Sequence, residues 1–164
     1  MPSVEEYARL GRGERIARLT RTAGELQELL TTVGTASLSL RPAAHAWAPI
    51  EVICHLRDSE EWFFTRMQWA LAMDEPAFPR NSPDRWAIER QYLRNDCLDA
   101  LAAFRRHRDD VIALFRGLSD DQWGRGGVHL DGRGRRTIDE FLSVIAWHDD
   151  NHLDQLKRAL DGHA

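Results

Sequence analysis

The chain has 164 residues, 43% of them hydrophobic, and a formal net charge of −4. This length predicts one domain, residues 1–164, with a hydrophobic core of its own. The acidic balance speaks against a nucleic-acid-binding surface, no apolar run approaches the ~20 residues of a membrane span, and the N-terminal sequence lacks a signal-peptide core. We therefore expect a cytoplasmic protein without nucleic-acid or membrane partners.

The spacing of apolar residues predicts an all-α chain of four helices. The predicted bounds are Ser3 or Gly13 to Val33, Pro49 to the residue before Asp74, Ser82 to Phe115, and Thr137 to about Gly162. The third helix is expected to contain an irregularity and to stop at Gly117. Thr137 and Glu140 form a capping box, which is typical of a helix start. Four helices of this length with apolar stripes predict a helical bundle.

Two connections are long enough to affect the topology. Residues 74–83 could span roughly 30 Å when extended, so the second and third helices are free to run parallel. In the 117–136 connection, Asp131 and Gly132 suit a tight turn between two very short strands. The same connection carries a basic cluster, Arg125, Arg133, Arg135 and Arg136. This cluster is either an anion-binding lid or, as is more common for such sequences, a solvated surface loop.

His148 and His152 are the most informative residues of the chain. Their i, i+4 spacing places both imidazoles on one helical face, which also carries Phe141, Ile145 and Leu156. His55 lies at the edge of the apolar stripe of the second helix and would meet the pair if these two helices pack together. Taken alone, His55 could simply bond a neighbour. Together, the three inward imidazoles predict a site for one divalent metal ion.

Four further residues near these histidines are candidates for a role in the site. Gln155 and Ser59 could contact a metal ligand or the substrate, or could bridge helices inside the bundle. Glu51 could orient His55 or act as a base, although a solvated acid in the first helical turn is the simpler interpretation. Trp47 could form a wall of a substrate pocket, or it could pack as a hydrophobic staple.

Other residue patterns near the site are interpreted more simply. Asp149 stands where a zincin motif has glutamate, but its side chain is one methylene shorter, so we do not predict a zincin. The remaining histidines, His45, His107, His129 and His163, are predicted to be surface residues. Cys54 and Cys97 indicate no disulfide framework.

Two parts of the chain carry a family resemblance. These are the segments AWAPIEV (46–52) and HLRDSE (55–60), and the later segments TI (137–138) and HDDNHLDQ (148–155). In order and spacing they resemble the DinB/YfiT-like superfamily, over nearly the whole chain. Ala48 departs from the pattern, because such sequences often have serine or a similar capping residue there.

The resemblance implies a four-helix bundle with up-down-down-up topology and a divalent ion held by His55, His148 and His152. It also implies a short list of activities. The superfamily includes S-transferases that use bacillithiol or mycothiol and a mycothiol-dependent maleylpyruvate isomerase, and the name hydrolase is often inferred from the site alone.

These arguments predict a small metal-dependent enzyme. Its open three-histidine site would activate a low-molecular-weight thiol, as in S-transfer, or a water molecule, as in hydrolysis. The metal is expected to be zinc or nickel, with iron as a third candidate. A small-molecule substrate is expected to contact Trp47, Arg133, Arg135 and Arg136. The alternative is a non-catalytic module, such as a homodimerisation unit, in which the metal only joins two helices.

Overall fold

The computed structural model describes residues 2–31 and 33–164, with only the backbone at 35 and 36. Its helices are α1 Val4–Ala8, α2 Arg12–Thr31, α3 Pro49–Ala72, α4 Pro83–Glu89, α5 Cys97–Gly117, α6 Asp120–Trp123 and α7 Ile138–Leu160. Its strands are β1 Ala77–Phe78, β2 Gly126–His129 and β3 Gly134–Thr137, and 3₁₀ turns occupy Thr35–Ser39 and Tyr92–Arg94. The predicted end of the first helix at Val33 follows a residue outside the described part.

The four long helices α2, α3, α5 and α7 form a bundle in which α2 and α3 each pack against both α5 and α7. Contacts between α2 and α7 advance in the same direction along both helices, as shown by the pairs Arg15–Asp139 and Thr22–Asp149. Contacts between α3 and α7 run in opposite directions, as shown by the pairs Phe63–Phe141 and His55–His148. Contacts between α5 and α2 also run in opposite directions, as shown by the pairs Arg105–Ala23 and Arg108–Leu19. The order is therefore up-down-down-up, which confirms the expected four-helix bundle.

The predicted third helix is broken into α4 and α5. Gln91 adopts a left-handed backbone conformation with φ of 52°, which ends the first piece. The Asp96 side chain then accepts hydrogen bonds from the backbone N–H groups of Leu98 and Asp99, and this cap starts α5. The expected irregularity is thus a true break between two helices.

A small sheet closes one end of the bundle. Strands β2 and β3 form the hairpin predicted around Asp131 and Gly132. Strand β1, which the sequence did not predict, pairs in parallel with β2. Gly127 permits this pairing, because a Cβ atom there would lie 2.4 Å from the carbonyl oxygen of Pro76 and 2.5 Å from the Phe78 ring. The sheet ties the connection between α3 and α5 to the hairpin.

A buried polar network lies between the helices. Arg108 of α5 is 2% exposed, and its guanidinium donates to both carboxylate oxygens of Glu60 and to both of Asp149. Burial acts to lower the pKa of Arg108, but its pairing with Asp149 and Glu60 outweighs burial and raises that pKa. The network therefore fixes α3, α5 and α7 relative to one another.

Much of the remaining interior is apolar, and it includes both cysteines, Cys54 and Cys97, which are free and buried. No helix in the described ranges has the length and apolar character required to cross a membrane.

Candidate metal centre

The starts of α3 and α7 position the three histidines. Pro49 opens α3, and the Glu51 carboxylate accepts the backbone N–H of Ala48 at 2.9 Å, which is one of the two bonds of a capping box; Ala48 has no side-chain acceptor for the other. Thr137 and Glu140 form the predicted capping box at the start of α7. Antiparallel packing of these two helices brings His55 opposite His148 and His152.

The imidazoles converge on one point. One nitrogen from each of His55, His148 and His152 lies within 4.8 Å of the others, and the Nε2 atoms of His55 and His148 are 3.1 Å apart. Two nitrogens bound to one tetrahedral zinc ion at ~2.0–2.1 Å stand about 3.3 Å apart. The spacing of the ring nitrogens therefore fits a shared divalent ion.

The protonation state of the rings also fits a metal site. Burial, together with the nearby His152, lowers the pKa of His55 to about 3. Burial likewise lowers the pKa of His148 well below its ordinary value, and it lowers that of His152. The rings are therefore neutral near pH 7, and each has a lone pair available for a metal ion.

Gln155 orients one of the rings. Its Oε1 atom lies 2.7 Å from His152 Nδ1. Because an amide oxygen only accepts hydrogen bonds, this contact assigns the proton to Nδ1 and leaves Nε2 of His152 free to bind a metal. From the sequence, Gln155 was expected either to contact a metal ligand or to bridge two helices. In the structure its side chain contacts the imidazole of His152.

Replacing Gln155 with leucine should therefore weaken metal binding by about 10–100-fold, the usual effect of losing such a supporting bond. Gln155→Glu is the matched control, because its carboxylate can accept the same hydrogen bond, and it should keep most of the affinity. Competition between metal-stripped protein and a chromogenic zinc chelator would measure both variants. Equal affinities for Gln155→Leu and the unaltered protein would show that the contact does not support the metal.

A cavity of about 990 Å³ opens beside the histidines. Trp47 forms part of its wall, with its ring centroid 4.9 Å from that of His55, and it also packs against the apolar core. Trp47 thus lines the cavity and packs against the core, and its contact with a substrate stays a prediction. The cavity is lined by Pro42, Ala43, Ala44, His45, Ala46, Trp47, His55, Pro83, Asp84, Trp147, His148, Asn151, His152, Gln155, Arg158, Ala159, His163 and Ala164.

Ser59 and Glu51 make different contacts from each other. Ser59 is buried, and its Oγ atom lies 3.4 Å from both ring nitrogens of His55, which is a long contact. Glu51 is 1% exposed and accepts hydrogen bonds from Arg41 and from the backbone of Ala48. The interpretation of Glu51 as a solvated acid is therefore wrong, because the Arg41 guanidinium replaces its water. The same pairing leaves Glu51 poorly placed to act as a base.

Two buried carboxylates near the histidines form ion pairs with an arginine. Asp149 is fully buried and binds Arg108, as does Glu60. Among the side chains given above as lining the cavity, only Asp84 carries a carboxylate. The site therefore offers a strong set of nitrogen ligands and few candidates for a general base.

The arginines that were expected to contact substrate lie elsewhere. Arg135 pairs with Glu75 at 2.8 Å, and Arg133 and Arg136 line a different cavity, between the hairpin and the bundle. The described structure does not bring any of the three to the cavity of the histidines. The cause is topological, because the hairpin packs at the end of the bundle where α3 ends and α7 begins.

Sequence reasoning also missed three residues. His129 is buried in β2, although it was predicted to be exposed. No sequence pattern indicated this burial, because alternation in a strand would place Val128 rather than His129 on the buried face. Arg158 and His45 line the cavity of the histidines. Arg158 follows the His152–Gln155 pair along α7, and this spacing was an available signal.

Comparisons with curated proteins find relatives that are provisionally named metal-dependent hydrolases. YfiT of Bacillus subtilis (strain 168), whose name assigns it provisionally to the metal-dependent hydrolases, is 27% identical over 107 residues, or 65% of this chain. The matched segment spans 60% of the length of YfiT. A protein of Oceanobacillus iheyensis with the same provisional assignment is 20% identical over 151 residues, which are 92% of this chain and 86% of that protein.

Solved structures share the fold of this chain. The structure of YfiT from Bacillus subtilis, described as having an unusual four-helix bundle topology, covers 97% of this chain and 88% of its own with a TM-score of 0.85 at 22% identity. A mycothiol-dependent maleylpyruvate isomerase covers 95% of this chain and 63% of its own with a TM-score of 0.74 at 16% identity. The family model described as the DinB superfamily matches residues 18–156, which include all three histidines. The chain therefore belongs to the DinB superfamily.

Proposed function

We propose that this protein is a metal-dependent enzyme that transfers a small thiol to an electrophilic substrate. One divalent ion would be bound by His55, His148 and His152. Zinc and nickel are the preferred candidates, and iron is the third. A divalent ion with three neutral imidazole ligands and an open position lowers the pKa of a thiol or of a water molecule bound beside it.

The observation that carries this proposal is the meeting of three neutral imidazoles at the wall of the 990 Å³ cavity. Structural zinc sites are usually closed by four protein ligands. In the described ranges, no fourth histidine, cysteine or carboxylate joins the cluster. An open set of ligands beside an accessible cavity favours an enzyme over a module in which the metal only joins two helices.

A thiol is favoured over water as the nucleophile because acidic residues near the site are paired with arginines. Hydrolysis usually needs a nearby carboxylate as a general base. Glu51 is held by Arg41, and Asp149 is held by Arg108. Attack by sulfur does not require such a base, because the thiol proton can leave to solvent through the open side of the cavity. The sulfur–carbon bond then forms while the leaving group departs with its electron pair.

Side chains of the cavity would bind the two reactants. The Arg158 guanidinium is half-exposed, and its pairing with Asp154 is loose at 3.6 Å. It is therefore free to bind a carboxylate of the thiol in a bidentate manner. Trp47 offers an apolar wall beside His55 for the electrophile. In this proposal Arg158 takes the role that the sequence suggested for Arg133, Arg135 and Arg136.

A thiol screen would test this proposal. Metal-loaded protein is incubated with bacillithiol, mycothiol or glutathione and with monochlorobimane, and the rate of conjugation is measured. We expect one thiol to react faster than the uncatalysed rate, with the activity lost in His152→Ala and weakened in Arg158→Gln. Arg135→Gln is the matched control, because it removes the same charge outside the cavity.

The runner-up is hydrolysis, which the provisional names of the relatives favour. A panel of esters and amides assayed on the same metal-loaded protein separates the two reactions. Metal-dependent turnover on this panel, without conjugation of any thiol, would replace S-transfer with hydrolysis. Absence of both activities would favour the non-catalytic module.

A further inference from the structure

A second cavity, of about 270 Å³, lies between the hairpin and the bundle. Its apolar wall includes Phe63 of α3 and Phe141 and Trp147 of α7. Its polar side carries three arginines and a histidine, contributed by α3 and by the hairpin: Arg66, His129, Arg133 and Arg136. One side of this cavity is therefore cationic and the other is apolar.

Several of these polar groups lack partners. Arg66 is 2% exposed and donates to the carbonyl oxygen of Pro79, and its guanidinium lies over the Trp62 ring, but its buried Nε–H has no hydrogen-bond partner. His129 is 4% exposed, and neither of its ring nitrogens has a partner. Arg136 is half-buried, and its guanidinium forms no hydrogen bond or ion pair with a described residue. Buried polar groups without partners are costly, and Arg66, His129 and Arg136 all line this cavity, so a ligand with acceptor oxygens would offset that cost.

The nearby carboxylates do not satisfy these donors. Asp131 binds Arg133 at 2.7 Å. Glu5 lies at the exposed rim of the cavity, and Glu140 accepts the Thr137 backbone N–H at the start of α7. Arg66 and Arg136 therefore remain without a carboxylate that pairs with them.

We propose that this cavity binds a small organic oxyanion, a carboxylate or a phosphate monoester, that carries an apolar group. Arg66 and Arg136 would donate to the oxyanion, and His129 would donate one further hydrogen bond. The apolar group would rest against Phe63 and Trp147. Guanidinium groups match the geometry of both oxyanions, and the aromatic wall would contact the apolar group of the ligand.

The protonation states agree with this assignment. Burial, with Arg133, Arg66 and Arg136 nearby, lowers the pKa of His129 to about 4, so the ring is neutral near pH 7 and offers one N–H. Burial also lowers the pKa of Arg66, to about 10, which leaves its guanidinium charged near pH 7.

This site is separate from the metal centre but adjacent to it. Trp147 lines both cavities, and Phe63 lies against His148 with ring centroids 5.4 Å apart. An aromatic wall thus divides the two sites. The unpartnered polar groups and the cavity that they line do not depend on the proposed S-transfer.

Isothermal titration calorimetry on the full chain tests the proposal. The probes are phenyl phosphate, benzoate, inorganic phosphate and the neutral benzamide. His152→Ala protein is used alongside the unaltered protein, since a metal ion could itself bind oxyanions. We expect binding of about one phenyl phosphate or benzoate per chain in both proteins, weaker binding of inorganic phosphate, and none of benzamide. The preference between phenyl phosphate and benzoate identifies which oxyanion the site takes.

Variants locate the site. Arg136→Met should weaken binding about tenfold or more, because a charge-assisted hydrogen bond is lost. Arg66→Met should do the same, and circular dichroism would check that this buried substitution still folds. Arg135→Met is the matched control, because Arg135 neighbours Arg136 on β3 but pairs with Glu75. The proposal is overturned if neither organic oxyanion binds, if His152→Ala abolishes binding, or if Arg135→Met weakens it as much as Arg136→Met. Equal affinity for inorganic phosphate and phenyl phosphate would overturn the proposal that the ligand carries an apolar group that contacts the aromatic wall.

Discussion

Replacing Arg108 with methionine is expected to lower the free energy of unfolding by about 3–5 kcal/mol, the usual cost of removing one partner from a buried ion pair. Glu60 and Asp149 are 2% and 0% exposed, and both lose their cationic partner in this variant. Two facing carboxylates would then be buried without a positive charge between them. Urea denaturation followed by circular dichroism measures the loss.

The pH dependence of this variant gives a second readout. Burial raises the pKa of Glu60 and Arg108 acts to lower it, so losing Arg108 raises this pKa further and the folded state binds a proton more readily. The deficit in stability should therefore shrink as the pH falls toward about 4.

Arg106→Met is the matched control for Arg108→Met. Arg106 lies on the same helix and is exposed, so its loss should change stability by less than about 0.5 kcal/mol. Replacing Glu60, Arg108 and Asp149 together by leucine, methionine and leucine should recover much of the lost stability, because no charge then remains buried. A loss below about 1 kcal/mol in Arg108→Met would show that solvent already compensates this network.

The second large effect is expected for His148→Ala. Protein purified without a histidine tag should contain about one divalent metal per chain, and this variant should contain almost none, because the remaining two imidazoles lie on separate helices. Elemental analysis measures the content. His107→Ala, which removes a histidine of α5 outside the cluster, is the control and should keep the metal.

The metal-free protein should remain folded. The bundle has a large apolar core that does not include the histidines, so a chelator should lower the melting temperature without abolishing the helical circular-dichroism signal. Retention of metal by a variant with His55, His148 and His152 all replaced by alanine would end the assignment of the ligands. Loss of the helical signal on chelation would show that the core alone does not hold the bundle.

Much of the bundle could be predicted because its signals are local. The i, i+4 spacing of His148 and His152 and the capping box of Thr137 depend only on helical geometry, and the structure shows both on α7. The hairpin at Asp131 and Gly132 follows equally from turn chemistry. The alignment of His55 with the pair required a correct assumption about which helices pack together.

The features that were missed depend on contacts between distant segments. Glu51 is buried because Arg41, from the preceding loop, covers it. Arg135 pairs with Glu75 whereas Arg136 lines the second cavity, because successive side chains of strand β3 alternate between its two faces, and no charge pattern in the sequence indicates which face meets the bundle. Strand β1 is only two residues long, too short for any periodic signal, and it exists because glycine at 127 lets it approach β2.

The order of the helices also affects how the chain folds as it is synthesised. Helix α2 packs along α7 through pairs that are 124 to 132 residues apart in sequence. Domains generally begin to fold from the N-terminal end during synthesis, and contacts between distant residues slow folding. Until α7 leaves the ribosome, the first three long helices expose the apolar faces that it later covers, and Arg108 lacks one of its two carboxylates. The apolar faces of α2 and α3 that pack against α7 therefore have no partner within the chain until α7 has been synthesised.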